Sequence, residues 1–470
     1  MKKVDHKRMP LFQILKQFSA EQPLSFHVPG HKNGTLFPDE PYKYFEQILK
    51  IDMTELPGLD DLHAPSEAIA EAEYYASDFF QSDHTFFLVG GSTAGNLAMI
   101  LASCSPGDKV IVQRNSHKSI MNGLELSGAK PVFIAPEYDE TVGRYTNPSI
   151  AVLDEALRQH SDAKALLLTY PDYFGKIYPI KEMIEKAHAY HIPVLVDEAH
   201  GVHFSLGSPF PESALDLGAD VVVQSAHKMA PAMTMASFLH IKSKFIRKER
   251  IAHFLQMIQS SSPSYPLIAS LDIARSFLAI LTTEEIKAIM ESVSNVRKIL
   301  QATTYGKLLP ADDPLKITFH VKHGLSVKEV AKLFEAENIY PELVTHNQIL
   351  FIHGLAPFKQ EEALKKTVKS VEERLKNHTN HATIEIAELF SQPIQELALS
   401  YQVMNAQSYT RVPFIEGIGH IAAEAVIPYP PGIPFIVKGE IITAAHIEAI
   451  EQLRQQGIRI QQREEGIRIY

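Results

Sequence analysis

Residues 192–229 read IPVLVDEAHGVHFSLGSPFPESALDLGADVVVQSAHKM, and their pattern decides the fold. Two short apolar runs, IPVLV and VVV, are rich in β-branched residues, and each ends in polar side chains. Asp197, Glu198 and His200 follow the first; Ser225, His227 and Lys228 follow the second. Apolar runs without polar alternation read as strands buried on both faces, as in a parallel sheet covered by helices. Upstream, the helical pattern EAIAEAEYYASDFF (67–80) leads into the runs TFFLV (85–89), KVIVQ (109–113), KPVFIA (130–135) and ALLLT (165–169), with helical stretches between them. Strands alternating with helices predict a doubly wound α/β core with a mainly parallel sheet.

Four regions are expected along the chain. Residues 1–66 read as an N-terminal arm, with a short amphipathic helix around Met9–Phe18 and then the turn-rich FHVPGHKNG (26–34). The core domain spans 67–308. After a Pro/Asp-rich junction, KITFHVK, SVKEVAKLFEAENI, YPELVTHNQILFIHG and a helix over 359–376 make a small α/β domain, 309–378. The polar stretch NHTNHATIEI (377–386) leads into a C-terminal domain, 379–470, with strand patterns AEAVIPY and PFIVKGE.

Composition narrows the function classes. The chain has 470 residues, 45 Lys plus Arg against 55 Asp plus Glu, and a formal charge of −10, so no basic field draws nucleic acid. Its single cysteine, Cys104, forms no intrachain disulfide and fits a reducing cytosol; it reads as a small buried residue on the helix behind the TFFLV turn. The start, MKKVDHKRMPLFQILKQFSAEQP, is basic but lacks a signal peptide's apolar core, and no run approaches the roughly 20 apolar residues of a membrane span. There are 22 histidines, so their placement matters for acid–base chemistry.

In open α/β sheets ligands sit beyond the carboxyl ends of the strands, and four strand ends carry suitable residues. After TFFLV come Gly90, Gly91, Ser92, Thr93, Ala94, Gly95 and Asn96, which open a helix. Small residues, hydroxyls and a helix N-terminus can cradle a phosphate, or simply form a capped turn. Asp197 ends IPVLV and can hold a cationic ring nitrogen or a metal, or cap a helix. The letters D-E-A-H also spell an ATPase box, but the phosphate loop that reading needs is absent. Lys228 follows VVVQS; a desolvated amine there can form an imine, while a lone lysine is otherwise a surface residue. His117 follows KVIVQ, where a histidine also caps helices.

In this order, the four places resemble pyridoxal-phosphate enzymes of the aspartate-aminotransferase fold, and more narrowly the Orn/Lys/Arg decarboxylases. The resemblance runs through FHVPGHKNG (26–34), DMTELPGLDDLHAP (52–65), FFLVGGSTAGN (86–96), PGDKVIVQRNSHKSI (106–120), VDEAHGVHF (196–204), QSAHKMAPAMTMAS (224–237), SSSPSYPLIASLDIAR (260–275) and YPPGIPFIVKGE (429–440). It implies that Lys228 carries the cofactor through an imine, that Asp197 pairs with the pyridinium nitrogen, and that His117 stacks on the ring. Ser92, Thr93 and Ala94 would hold the phosphate with Ser225 and His227, Ala199 would line the cofactor, and His227 is a candidate for the proton that replaces CO₂. Ser260, first of Ser260–Ser262, would reach the partner subunit's phosphate, which implies a homodimer with composite sites. Larger family members carry an N-terminal receiver-like domain, and a decamer is not expected for this shorter form. LLTYPDYFGK holds Tyr170 and Asp172 where relatives show Asn-Pro-Thr-Tyr.

The expected activity is decarboxylation of a basic amino acid, arginine or lysine and then ornithine, in the cytoplasm. Glu424 and His200 are candidates for the substrate, with Glu55 and Asp60 as further acids. No metal is expected, because the histidines lack a metal-binding spacing. The alternatives are an aminotransferase or aldolase on the same fold, a cofactor-binding regulatory protein without turnover, and a metal-dependent hydrolase.

Overall fold

The structure is a computed structural model that describes residues 4–376, 390, 392–428, 432–455, 460 and 464–470. Its first main elements are α1 (Pro10–Ala20), α2 (Asp39–Leu49), α3 (Ala68–Phe80), β1 (His84–Leu88), α4 (Gly91–Ser103), β2 (Lys109–Gln113), α5 (Lys118–Ser127), β3 (Lys130–Ile134), α6 (Ile150–Gln159), β4 (Ala165–Thr169), α7 (Ile180–Ala189), β5 (Val194–Asp197), β6 (Val221–Gln224), α8 (Ala226–Met229), β7 (Ser237–Ile241), α9 (Lys248–Ile258) and α10 (Tyr265–Ile280). The chain packs as two units, Met1–Ser103 with Ala187–Leu281, and Cys104–Lys186 with Thr282–Tyr470. The stretch 67–308 read as one core domain is shared between them.

In the first unit, β5 and β6 pair in parallel, with Leu195 opposite Val221. Strand β7 runs antiparallel to β6 on one side and to β1 on the other, so β1, β6 and β5 share one direction. Val194, Leu195, Val196, Val221, Val222 and Val223 are all fully buried, as an apolar run without alternation predicts. Strand β7 is absent from the sequence reading because SFLHI carries Ser237 and His240 inside its apolar run. Both polar side chains are satisfied within the layer: Ser92 Oγ donates to Ser237 Oγ at 3.2 Å, and His240 bonds to Thr85 and Gln224. Helix α4 lies close on the strands. A Cβ built on Gly95 would stand 2.8 Å from Leu88 Cδ1 and 2.9 Å from Val223 Cγ1.

The arm is firmly docked at its start. The fully buried guanidinium of Arg275 on α10 donates to the carbonyls of His6 (2.8 Å) and Arg8 (2.7 Å), while Asp272 accepts from Leu11 N–H at 3.0 Å. The turn-rich stretch is followed by a helix the sequence reading omits, α2, whose Tyr44 and Phe45 are exposed.

In the second unit β2 pairs in parallel with both β3 and β4. Next come α11 (Thr283–Gln301), β8 (Gly306–Leu308), β9 (Lys316–Val321), α12 (Val327–Ala336), β10 (Leu343–Val344), β11 (Gln348–Ile352) and α13 (Glu361–Leu375). These strands form an antiparallel sheet in the order β8-β9-β11-β10 over a core that includes Phe319, Phe334 and Ile349. Strand β12 (Ile394–Glu396) adds antiparallel to β3.

Where strands were expected at AEAVIPY and PFIVKGE, only isolated bridges occur among the described residues, such as Val426 with Ile436. Prolines 428 and 434 lack the N–H that a ladder needs. Arg114, at the end of β2, fastens this segment by donating to Glu440 Oε2 (2.7 Å) and to the carbonyl of Pro434 (2.9 Å). The stretch NHTNHATIEI and Tyr429–Pro431 of the motif YPPGIPFIVKGE lie outside the described residues. Cys104 is buried one residue beyond the end of α4, not on the helix itself. Among the described residues no single helix is long and apolar enough to cross a membrane.

Candidate active site

Strand ends β5 and β6 carry the chemistry of the first unit. Asp197, the last residue of β5, is 4% exposed. Asn96 Nδ2 donates to its Oδ2 at 2.9 Å, whereas its buried Oδ1 has no hydrogen-bond partner among the described residues. An unpaired buried carboxylate oxygen is costly unless it receives a donor. A protonated ring nitrogen would be such a donor.

Lys228 lies on α8, directly after β6, and its Nζ is 3.1 Å from His200 Nε2. The turn after β5 therefore brings His200 beside the lysine, a neighbour that 28 residues of separation conceal. His227, next to Lys228, points Nδ1 at the carbonyl of Ala236 (3.0 Å), which makes Nδ1 the protonated nitrogen of the neutral ring.

The glycine-rich turn opens α4. Gly91 has φ +71°, a left-handed conformation that favours glycine, and its N–H donates to the carbonyl of Met235 at 2.9 Å. Ser92 Oγ lies 2.7 Å from Ser225 Oγ and 3.2 Å from Ser237 Oγ, so three hydroxyls from α4, β7 and the residue before α8 cluster at a helix N-terminus. Thr93 is exposed and Ala94 buried. Ala199 is half-buried in the turn that carries His200.

These residues fit pyridoxal phosphate. A hydroxyl-lined helix start suits its phosphate, Asp197 Oδ1 its ring nitrogen, and Lys228 its aldehyde. The sequence reading gave no role to Asn96 or Ser237. Asn96 was findable, because it stands four residues after Ser92 on a helix and so shares its face. Ser237 was not, because β7 was missed.

The remaining candidates are placed as follows. Ser260 is exposed; its carbonyl lies 2.8 Å from His63 Nε2 and its hydroxyl accepts from Ser262 N–H at 3.2 Å. Asp60 accepts from the backbone N–H groups of Asp61, Ser66, Glu67, Ile69 and Ala70, so both oxygens serve the start of α3. Those amides hold its carboxyl below the usual range, against the opposing effect of burial. Glu55 accepts from the Thr54 hydroxyl.

In the second unit His117 is the N-cap of α5; its Nδ1 accepts from Ser119 N–H at 3.2 Å and lies 2.8 Å from the Ser119 hydroxyl. Glu424 pairs with Arg411 at 3.2 Å and accepts from the backbone N–H of Arg468 at 3.0 Å. Among the described residues no group of three or more His, Cys, Asp or Glu could hold a metal ion.

Residues 9–319 match the family described as Orn/Lys/Arg decarboxylase, major domain, and residues 380–460 its C-terminal domain. Uncharacterized protein YaaO of Bacillus subtilis is 44% identical over 452 residues, 94% of each chain. An arginine decarboxylase of the same organism is 37% identical over 96% of this chain and 95% of its own. Lysine decarboxylase LdcA of Pseudomonas aeruginosa is 24% identical over 94% of this chain and 75% of its own.

Among solved structures, the lysine decarboxylase LdcF of Francisella novicida superposes with a TM-score of 0.79 at 20% identity, over 98% of this chain and 80% of that one. Serine palmitoyltransferase of Sphingomonas wittichii superposes with a TM-score of 0.54 at 18% identity, over 73% and 85%. The fold is thus the α/β fold of pyridoxal-phosphate-dependent transferases. Matched along nearly its whole length by proteins of this kind, the chain belongs to the Orn/Lys/Arg decarboxylase family, and it is a decarboxylase that uses pyridoxal phosphate.

Proposed function

We propose that the reaction is loss of CO₂ from arginine or lysine, with ornithine as the remaining candidate, giving agmatine, cadaverine or putrescine. Pyridoxal phosphate, when bound, supplies a conjugated cationic ring that takes up the electron pair left by CO₂. The observation that carries the reading is the open oxygen of buried Asp197, in the same unit as Lys228. Asp197 keeps the ring nitrogen protonated, and Asn96 keeps the carboxylate turned toward it. Lys228 is the amine that attaches the cofactor, and His200 at 3.1 Å is its partner for proton exchange. His227, next to Lys228 in the chain, is the candidate for handling the proton that replaces CO₂. Ser92, Thr93, Ala94 and Ser225 hold the phosphate, Ala199 lines the ring, and His117 stacks on it.

Arginine has the strongest support among substrates. Four relatives named arginine decarboxylase are 35–37% identical to this chain and a biodegradative arginine decarboxylase is 27% identical over 57% of it, against 24% and 22% for those named lysine and ornithine decarboxylase. Glu424 would receive the distal cation of the substrate by exchanging it for Arg411. Glu424→Gln should raise KM for the preferred amino acid more than it lowers kcat, and an unchanged KM would remove Glu424 from the substrate site.

The protein would work as a cytosolic homodimer, with Ser260 reaching the partner's phosphate. Support comes from Leu24, Phe26 and Tyr44, which are 86%, 95% and 74% exposed and offer apolar surface to a second copy. A single cysteine, which can form no intrachain disulfide, fits a reducing compartment.

Amine release from arginine, lysine and ornithine, assayed in parallel with keto-acid formation, tests the reading. Amine from one of the three supports it; keto acid without CO₂ would sink it. Lys228→Ala should lose both turnover and the visible absorbance of the lysine-bound cofactor.

A further inference from the structure

Glu198 follows Asp197 directly but takes no part in the chemistry above. Its side chain is fully buried and receives three donors. Ala214 N–H reaches Oε1 at 2.7 Å; the Ser213 hydroxyl and Gln224 Nε2 lie 2.9 Å and 2.5 Å from Oε2. The contact with Gln224 orients a longer chain of hydrogen bonds. Because Gln224 donates through nitrogen, its Oε1 must accept, and the group 3.0 Å away is His240 Nε2. That nitrogen therefore carries the ring proton, and His240 Nδ1 accepts from the Thr85 hydroxyl at 2.8 Å. The Thr85 oxygen accepts in turn from the Ser82 hydroxyl at 2.8 Å. Burial pushes His240 down to about 3, which keeps the ring neutral with one proton to give.

Thr85, His240, Gln224 and Glu198 are each fully buried. They form a polar ladder across β1, β7 and β6 to the turn after β5, with every donor pointing toward Glu198. The turn is braced by its backbone as well: Glu198 N–H donates to Val223 O at 2.9 Å, and Gly201 N–H to Glu198 O at 3.0 Å. Asp197 stands on one side of this brace and His200 on the other. Gln224 directly precedes Ser225 and lies four residues before Lys228.

We propose that Glu198 is a positioning residue for pyridoxal phosphate. By locking Gln224 at the tip of β6 to the turn after β5, it sets the spacing between the acid Asp197 and the Ser225–Lys228 segment. The inference rests on the cofactor reading above. Burial, with the charge of Asp216 adding to it, raises the Glu198 carboxyl to about 8, so glutamine matches its uncharged form and keeps the contact by donating to Gln224 Oε1 once the Gln224 amide turns over.

The test is titration of the cofactor-free protein with pyridoxal phosphate, with affinity read from visible absorbance and melting temperature measured for every variant. Glu198→Gln should bind within about threefold of wild type, whereas Glu198→Leu and Gln224→Leu, which strand buried donors or acceptors, should bind about tenfold more weakly. The double variant should be no worse than the weaker single, because both remove one contact. Affinity unchanged in Glu198→Leu, measured well below its melting transition, would overturn the proposal even if that transition has dropped. Additive losses in the double variant would overturn it as well. Should Glu198→Leu fail to fold, Gln224→Leu compared with Glu198→Gln carries the same test: weaker binding supports the proposal and equal binding overturns it. Failure of the wild type itself to bind pyridoxal phosphate would overturn the cofactor reading; normal wild-type binding with unchanged variants overturns the positioning role alone.

Discussion

Asn96 holds Asp197 Oδ2 at 2.9 Å, so the acid's orientation depends on a residue 101 positions earlier in the chain. Asn96→Ala should cost about 1–3 kcal/mol of stability, the usual cost of losing a buried polar partner, and should weaken cofactor binding. Urea unfolding and a cofactor titration measure the two effects, and wild-type values in both would remove Asn96 from the site. Asp197→Asn keeps the shape but not the charge; it should retain some cofactor yet lose most turnover. Wild-type rates would count against the ring-nitrogen role. Asp197 and Lys228 were legible as letters at strand ends. The contact between His200 and Lys228 was not, because it depends on how tightly the turn after β5 closes.

Helix α4 shows why glycine is needed at one position in an element interior. A methyl group at Gly95 would press on Leu88 and Val223 at under 3 Å, so the helix would have to lift from β1 and β6. Gly95→Ala should therefore destabilise by about 1–3 kcal/mol despite alanine's better helix propensity. A denaturant midpoint equal to or above wild type would contradict that packing. Strand β7 teaches the complementary lesson. Ser237 and His240 make SFLHI look unlike a buried strand, and they become compatible with burial only once Ser92, Thr85 and Gln224 are brought against them.

Over the whole molecule, two buried acids set a pH dependence. Burial pushes both Glu73 and Glu198 up to about 8 from an ordinary value near 4.5. The folded state then binds these protons more tightly than the unfolded state. Their contribution is fully present below about 4.5 and is lost as pH rises through about 8. Unfolding free energy should fall by about 1 kcal/mol or more from about pH 6 to about pH 9, and the double variant Glu73→Gln/Glu198→Gln should flatten that fall. An identical slope in the double variant would sink the assignment. The proposed homodimer predicts a solution mass twice the 52.6 kDa of one chain; a monomer by light scattering would remove Ser260 from the partner's site.

The sequence by itself determined the α/β class, the strand ends that carry Asp197 and Lys228, the glycine-rich turn that opens α4 and the decarboxylase family, because buried strands and tight turns restrict which residues can occupy them. Only the tertiary structure decided that Asn96 orients the acid, that His200 meets the lysine, and that Glu198, Gln224, His240 and Thr85 form one ladder. Those contacts join residues distant in the chain, and their hydrogen bonds exist only after four strands have closed around them.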